Sequence, residues 1–325
     1  MTPLRGIIRF GSLTVGLHCQ DPERGNDVAR IFGTALVRPS RELQAQVQAE
    51  IVVTEPSRAE VSQRLAVPKD GMILRHDPRH PEIHTETISA VLDLAARPAR
   101  AEIALVQPHP PHFDLCVHLA VVLHKLLFFL NSVALHAAGV CFVQQVSLFL
   151  GDRGAGKSTV ALRLARAGGT VLGEDHLIVR RSAGAFAVSG CDERSRLDAK
   201  TERYFFDQPL PGEPVSFAGR LKKEIPAAAV FDSRPYHDYR ADRLFFAQPG
   251  TSFSITPLPR RVALLKLMGA AGKLQRFVDA TDRVRFLGML SDFIETVAPY
   301  DLVLSEDLSD LDQLVEFLQE EAARG

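Results

Sequence analysis

The stretch LFLGDRGAGKSTVALRLARAGGTVLGEDHLIV, residues 148–179, places a glycine loop between a predicted strand and a predicted helix. Residues 151–158 match the pattern G-x-x-x-x-G-K-[ST] of a phosphate-binding loop in full. The strand predicted before the loop covers 146–150, and the helix predicted after it covers 157–167. Strand, loop and helix in this order are the context in which such a loop binds nucleotide phosphates.

Each residue type in the loop has a physical role in holding phosphate. The glycines let successive backbone N–H groups point inward, and the helix that follows adds the positive end of its dipole. Lys157 is predicted to reach the β and γ phosphates, Ser158 to bind Mg²⁺ and Thr159 to support the start of the helix. The predicted ATP-binding residues are Gly151, Asp152, Arg153, Gly154, Ala155, Gly156, Lys157, Ser158 and Thr159.

Two adjacent carboxylates, Glu174 and Asp175, follow one short helix later. Gly168 and Gly169 are predicted to end the helix, and TVLG then reads as a buried strand. A right-handed crossover returns that strand parallel to the first, so both strands end at the same edge of the sheet. We therefore expect the acidic pair to face the γ phosphate, although an acidic dipeptide elsewhere would more often lie in a solvated turn.

His136, in the segment LHAAGV, precedes Lys157 by 21 residues, with only a predicted hairpin between them. A histidine in an apolar strand is commonly a core residue with satisfied hydrogen bonds. Here its strand is expected to neighbour the strand that leads into the loop, which would bring the imidazole to the phosphate site.

The segment from LHAAGV to LGED resembles the catalytic core of the HPr kinase/phosphorylase family over residues 132–180. In that family a histidine strand, a G-D-S-G-x-G-K-S loop, a short helix and an Asp-Asp pair occur in this order and at this spacing. The resemblance implies an α/β fold: a P-loop kinase core of the HPr kinase/phosphoenolpyruvate carboxykinase type with a mixed sheet. It also implies an ATP-dependent serine kinase.

The resemblance assigns roles residue by residue. Asp175 matches the base for the acceptor hydroxyl, Lys157 and Ser158 match the phosphate lysine and the Mg²⁺ serine, and His136 matches the histidine of the catalytic region. Glu174 stands where the family has its first aspartate, which implies a supporting or metal role. The family's downstream E-I-R-G segment has no clear counterpart, with Glu193 and Asp198 as candidates for the second Mg²⁺ ligand.

These departures bring the chain nearer to the divergent HPr-kinase-like proteins of peptide-modification clusters, including lasso-peptide kinases. In that subgroup the acceptor can be a serine on a small precursor peptide. Several basic residues further along could stabilise the transferring phosphoryl group or hold the acceptor, although most such residues are solvated surface charges. They are Arg194, Arg196, Lys222, Lys223, Arg240 and Arg243.

Composition narrows the class of protein and of partner. With 46% hydrophobic and 24% charged residues, the chain has the composition of a globular protein. The net charge of -1 contains no long basic block, so nucleic acid is not an expected partner, and a homo-oligomer is left open. Four scattered cysteines without a C-x-x-C pair favour reduced thiols in the cytoplasm.

The chain is predicted to contain two domains: a small strand-rich α+β N-terminal module over 1–110 and the P-loop catalytic domain over 111–325. Three prolines within 107–112 mark the boundary. The apolar stretch 113–135 could suggest a membrane span, but Asp114, His118, His124 and Lys125 interrupt it. A helix packed under a sheet is the preferred interpretation.

Three other functions remain open from the sequence. A small-molecule kinase would use the same residues, because the sequence does not reveal the acceptor. A regulatory ATPase or switch protein would use Asp175 to hold Mg²⁺ and position water. A nucleotide-binding scaffold would not need the base, so the lysine, serine and acidic pair together argue against it.

Overall fold

The computed structural model describes most of the chain, in segments. They are residues 4–20, 25, 28, 36–54, 72–75, 77, 79–107, 112–182, 184–190, 194–217, 220–232, 237–275 and 280–324. The described residues form a mixed α/β structure with several sheets. The segment GNDVARIFGTAL, residues 25–36, is predicted from its sequence to be helical, and it falls almost entirely outside these segments.

The chain divides into two compact units. The first comprises Met1–Val133 and Leu274–Arg283, and the second comprises Ala134–Lys273 and Val284–Gly325. The units thus change between Val133 and Ala134 rather than at the prolines of 107–112, because the helix that follows the prolines packs on strands of the first unit. The division into folding domains at 110/111 stays a prediction.

An eight-stranded sheet forms most of the first unit. Its strands are β1 (Leu4–Phe10), β2 (Leu13–Cys19), β3 (Leu36–Val37), β4 (Ala49–Thr54), β5 (Met72–Arg75), β6 (Glu82–Thr85), β7 (Ile88–Asp93) and β8 (Ala99–Leu105). The spatial order is β3-β1-β2-β4-β8-β7-β6-β5, with a short helix α1 (Arg41–Ala45) before β4.

Helix α2 (His112–Phe129) packs against β7 and β8. Leu119, Val122 and Leu126 are fully buried at three- and four-residue spacing, as expected of a helix face that covers a sheet. Within the apolar stretch 113–135 the helix ends at Phe129, and a strand begins at Ser132.

Polar side chains of α2 have partners within the first unit. The imidazole of His118 hydrogen-bonds with the hydroxyls of Thr85 and Thr87, and Lys125 pairs with Asp282. Burial lowers the pKa of His118 below its ordinary value, so it lies there as a neutral, hydrogen-bonded group. None of the helices in the described part of the chain has the length and apolar character that a bilayer crossing requires.

The second unit is built on a six-stranded mixed sheet in the order β12-β10-β11-β18-β20-β19. These strands are β10 (Ala137–Phe142), β11 (Gln145–Leu150), β12 (Thr170–Gly173), β18 (Arg243–Pro249), β19 (Ser254–Pro257) and β20 (Ala298–Leu304). β11, β18 and β20 run parallel, while β10 is antiparallel to its neighbours β11 and β12. The helices of the unit are α3 (Lys157–Arg166), α4 (Ala199–Phe205), α5 (Arg260–Gln275), α6 (Ala280–Thr296) and α7 (Leu311–Arg324), of which α5 and α6 extend across its boundaries.

Two three-stranded sheets complete the described structure, in the orders β14-β13-β9 and β15-β17-β16. Their strands are β9 (Ser132–Leu135), β13 (Leu177–Ser182), β14 (Ala185–Gly190), β15 (Arg194–Leu197), β16 (Glu213–Phe217) and β17 (Arg220–Pro226). The second of these small sheets carries four of the basic residues considered from the sequence: Arg194, Arg196, Lys222 and Lys223.

Candidate functional site

The glycine loop joins the end of β11 to the start of α3, as the sequence predicts. Gly154 and Gly156 have φ values of 85° and 91°, in the left-handed region that favours glycine. A Cβ at Gly151 would lie 2.3 Å from the carbonyl oxygen of Ala247 on β18, so no larger residue fits that close approach. The loop is therefore a tight backbone turn in which glycine is favoured at three positions.

Helix α3 is held at the end of the loop by its buried face. Val160, Ala161 and Leu164 are fully buried, and the helix packs on β10. The helix ends as predicted: the N–H of Gly169 donates to the carbonyl of Leu164 at 2.9 Å, and Gly168 has a φ of 96°. This packing fixes the direction of the helix N-terminus, whose N–H groups face the loop.

The side chain of Lys157 forms hydrogen bonds with the backbone of the loop. Its Nζ donates hydrogen bonds to the carbonyl oxygens of Gly151, at 2.8 Å, and Asp152, at 3.2 Å. The residue is only 6% exposed, so its charge is held at the start of the loop rather than in solvent. A buried ammonium group in this position offers a fixed positive charge to an incoming anion.

Sheet topology brings His136 and Asp175 to the same edge as the loop. Ala137 pairs with Leu150 on β11, and Gly139 pairs with Gly173 on β12. β12 therefore runs in the direction of β11, with β10 between them, and the two strands end on the same side. His136, predicted within a strand, lies in the break between the strands 132–135 and 137–142, and the second of these neighbours β11.

The side chain of His136 contacts the backbone of Asp175. The Nδ1 atom of His136 lies 3.0 Å from the carbonyl oxygen of Asp175. A carbonyl only accepts, so Nδ1 carries the proton and donates it, which leaves Nε2 as the basic nitrogen of the neutral ring. The histidine thus orients the segment that carries Asp175 rather than its carboxylate.

The pKa of His136 lies below its ordinary value. Desolvation by the surrounding protein is the largest cause, and the Lys157 charge lowers the pKa further, while the Asp175 carboxylate and backbone carbonyl raise it. Although the ring is exposed by area, protein atoms surround it at the cavity wall and disfavour its charged form. The imidazole is therefore neutral at pH 7.

Titration of His136 by NMR is expected to give a midpoint below about 6.5, the ordinary histidine value. Lys157→Ala should raise that midpoint by removing a nearby cation, and Asp175→Asn should lower it by removing an anion. Because protonation opposes the native state, this group contributes stability at neutral pH that is lost as the pH falls below about 6.5. His136→Gln assigns the resonance, and a midpoint that neither variant moves would contradict the arrangement.

A cavity of about 1160 Å³ opens above the loop, within the second unit. It is lined by the loop, His136, Asp175, residues of β15 and β17, and the end of β18. Small-molecule sites are usually about 300–1,000 Å³, so this space could accommodate a nucleotide and part of a second reactant.

The two carboxylates of the acidic pair point in different directions. Asp175 lines the cavity, and its side chain is 31% exposed. Glu174 does not line the cavity and is 4% exposed. The sequence predicts catalytic roles for both and a metal role for Glu174; the structure brings only Asp175 to the cavity surface.

Arg196, on β15, lies between two carboxylates. Its Nη1 is 3.5 Å from Oδ2 of Asp175, and its Nε donates to Oε2 of Glu224 at 3.0 Å. Glu224 is its direct cross-strand partner on β17. Of the six basic residues considered from the sequence, only Arg196 and Lys222 are among the cavity-lining residues, and the side chain of Arg194 lies outside the described part.

Two further basic candidates, Lys223 and Arg243, do not line the cavity. Lys223 pairs with Glu202 at 2.6 Å, and Arg243 is buried at the start of β18, the opposite end of that strand from the loop. Strand periodicity alone could have predicted that Lys222 and Lys223 face opposite sides of the strand, because side chains alternate along a strand. The pairing of β15 with β17 joins residues distant in the chain and had no local signal.

Thr159 takes part in a short chain of polar contacts at the cavity floor. Its Oγ1 lies 3.3 Å from that of Thr201, which in turn donates to the carboxylate of Asp198 at 3.2 Å. Asp198 caps α4 by accepting from the N–H groups of Lys200 and Thr201. Its carboxylate is thus engaged in a helix cap, while the alternative candidate Glu193 lies outside the described residues.

The residues around the loop fit a magnesium ion that enters with a nucleotide. Mg²⁺ is commonly held by one or two protein ligands together with substrate phosphates and water. Ser158 lines the cavity beside the loop. Across the described ranges, no group of three or more His, Cys, Asp or Glu side chains is arranged to hold a metal ion by itself.

The similarity of this chain to known proteins is low. No protein-family model matches the chain, and no curated protein matches it. Among solved structures, the Hpr(Ser) kinase/phosphatase from Coxiella burnetii is similar with a TM-score of 0.29 and 9% sequence identity, over 58% of this chain and 94% of that chain. Similarity at this level carries no argument about activity, which has to come from the site.

Proposed function

We propose that this chain is an ATP-dependent kinase that transfers the γ-phosphoryl group to a hydroxyl, most readily a serine, on a protein or small peptide. One observation carries the proposal: the glycine loop with Lys157 and the carboxylate of Asp175 open into the same cavity. Phosphoryl transfer needs a phosphate cradle, charge neutralisation and a base near the acceptor. All three are supplied by residues at one edge of one sheet.

The loop supplies the donor side of the reaction. Backbone N–H groups of 151–156 and the N-terminus of α3 would bind phosphate oxygens, and Lys157 would transfer its hydrogen bonds from two backbone carbonyls to the β and γ phosphates. Ser158 would hold Mg²⁺, which neutralises charge on the phosphates. Glu174, buried behind Asp175, would support the strand end or complete the metal site.

Asp175 supplies the acceptor side. Its carboxylate would take the proton of the acceptor hydroxyl as the hydroxyl oxygen bonds to the γ phosphorus and the bond from that phosphorus to the β–γ bridging oxygen breaks. Arg196, held by Glu224, keeps the carboxylate oriented toward the cavity. Its guanidinium could also contact the transferred phosphoryl group.

Transfer of labelled phosphate from ATP to a pool of serine-containing peptides tests this function. With Mg²⁺ present, we expect phosphopeptides by mass spectrometry and little label released as inorganic phosphate. Label released to water at the same rate with and without peptide would identify a regulatory ATPase instead. Label recovered only on an added metabolite would identify a small-molecule kinase.

A further inference from the structure

The two faces of β17 have different environments. Cross-strand pairing puts Arg196 opposite Glu224 and Val215 opposite Lys222. Because side chains alternate along a strand, Lys222, Glu224 and Arg196 share one face, and this is the face that carries Arg196 toward Asp175. On the other face Ile225 is fully buried and Lys223 pairs with Glu202, but Leu221, near the start of the strand, is exposed.

Lys222 brings a positive charge to the cavity without a carboxylate to offset it among the described residues. Its Nζ makes one hydrogen bond, to the carbonyl oxygen of Arg196 at 3.5 Å. The acidic groups on its face are Glu224, which pairs with Arg196, and the exposed Glu213 at the position opposite Glu224. No ion pair joins Lys222 to either of them.

Leu221 precedes Lys222 and lies on the other face of β17, and both residues line the cavity. It is 75% exposed, the largest exposed fraction among the large hydrophobic residues described. A single exposed leucine on a surface is ordinary. A leucine and an unbalanced lysine that are adjacent in the wall of a reaction cavity offer an apolar contact and a charge contact to the same ligand.

We propose that Leu221 and Lys222 form the recognition subsite for the acceptor, and that the acceptor is a polypeptide segment with an acidic residue and an apolar residue close to the phosphorylated hydroxyl. This inference rests on the proposed function. A small hydroxylated metabolite could reach Asp175 without contacting an exposed leucine on β17. A polypeptide places charged and apolar side chains on both sides of its serine, so it can contact both Lys222 and Leu221.

Two serine peptides that differ only in an Asp or a Lys beside the serine test the subsite with the full-length chain. Wild-type protein should phosphorylate the Asp peptide with the higher kcat/KM. Lys222→Glu should lower kcat/KM for the Asp peptide and raise it for the Lys peptide, changing their ratio by about tenfold or more, since an attraction is replaced by a repulsion. Leu221→Ser should raise KM for both peptides several-fold with little change in kcat.

Two variants on α5 are matched controls. Arg261→Glu makes the same change of charge and Leu265→Ser the same loss of an exposed leucine, 66% exposed, at positions that do not line the cavity. Both should retain the wild-type peptide preference. Equal use of the two peptides by wild type and Lys222→Glu would overturn the subsite and leave the kinase in place; no transfer to any peptide would overturn both.

Discussion

Replacing Asp175 with asparagine is expected to lower the rate of phosphoryl transfer by about 10² to 10⁴-fold, the usual contribution of a positioned general base. Asparagine keeps the shape of the side chain but cannot take the proton of the acceptor hydroxyl. The affinity for ATP should change little, because the loop and Lys157 remain. Single-turnover transfer to an identified peptide separates the chemical step from binding.

Variants of the residues that neighbour Asp175 show whether Asp175 itself is the base. His136→Ala should have a smaller effect, since His136 bonds to the backbone carbonyl of Asp175 and not to its carboxylate. Glu174→Gln should act mainly through stability or metal affinity, because Glu174 is 4% exposed and does not line the cavity. An Asp175→Asn protein that transfers at the wild-type rate, beside an inactive Glu174→Gln protein, would reverse the two roles.

Replacing Lys157 with alanine is expected to weaken ATP binding by about 1.5 to 3 kcal/mol, the value of a hydrogen bond to a charged group. This corresponds to a loss of affinity of roughly tenfold to 150-fold. The reason is geometric: Lys157 is held inside the loop by the carbonyls of Gly151 and Asp152, so its charge is already positioned for phosphate. Thermal shift of the two proteins, titrated with ATP and Mg²⁺, measures the difference.

Lys200→Ala is the matched control for this substitution. Lys200 lies on α4, donates to the carbonyl oxygen of Glu306 and does not line the cavity. The Lys200→Ala protein should be stabilised by ATP as much as the wild type is. Equal stabilisation of wild type and Lys157→Ala by ATP would contradict the assignment of the loop as the phosphate site.

Local signals in the sequence were sufficient for the loop and the elements around it. The glycines at 154 and 156 predict a backbone that only glycine adopts easily, and their positive φ values agree. Gly168, with a φ of 96°, predicts the end of α3 for the same reason. Alternating apolar residues predict the strands of both units, because the two faces of a strand meet different environments.

The sequence was less informative where an element's end depends on its packing. The apolar stretch after the prolines continues to residue 135, yet the helix stops at Phe129 and the chain turns at Asn131, with a φ of 54°. Helix and buried strand share the same apolar composition, so hydrophobicity alone could not locate the change. The packing of α2 on β7 and β8 likewise puts the helix in the first unit, on the other side of the predicted boundary.

By itself, then, the sequence determined the glycine loop, its lysine, the short helix and the strand that ends in the acidic pair, because each depends on contacts within a few residues. Only the tertiary structure decided which of the two carboxylates reaches the cavity, and that Arg196 and Lys222 join it there. Those positions depend on the pairing of β10 with β12 and of β15 with β17. Strand pairing joins distant residues through backbone hydrogen bonds that any side chain permits, so no local pattern encodes it.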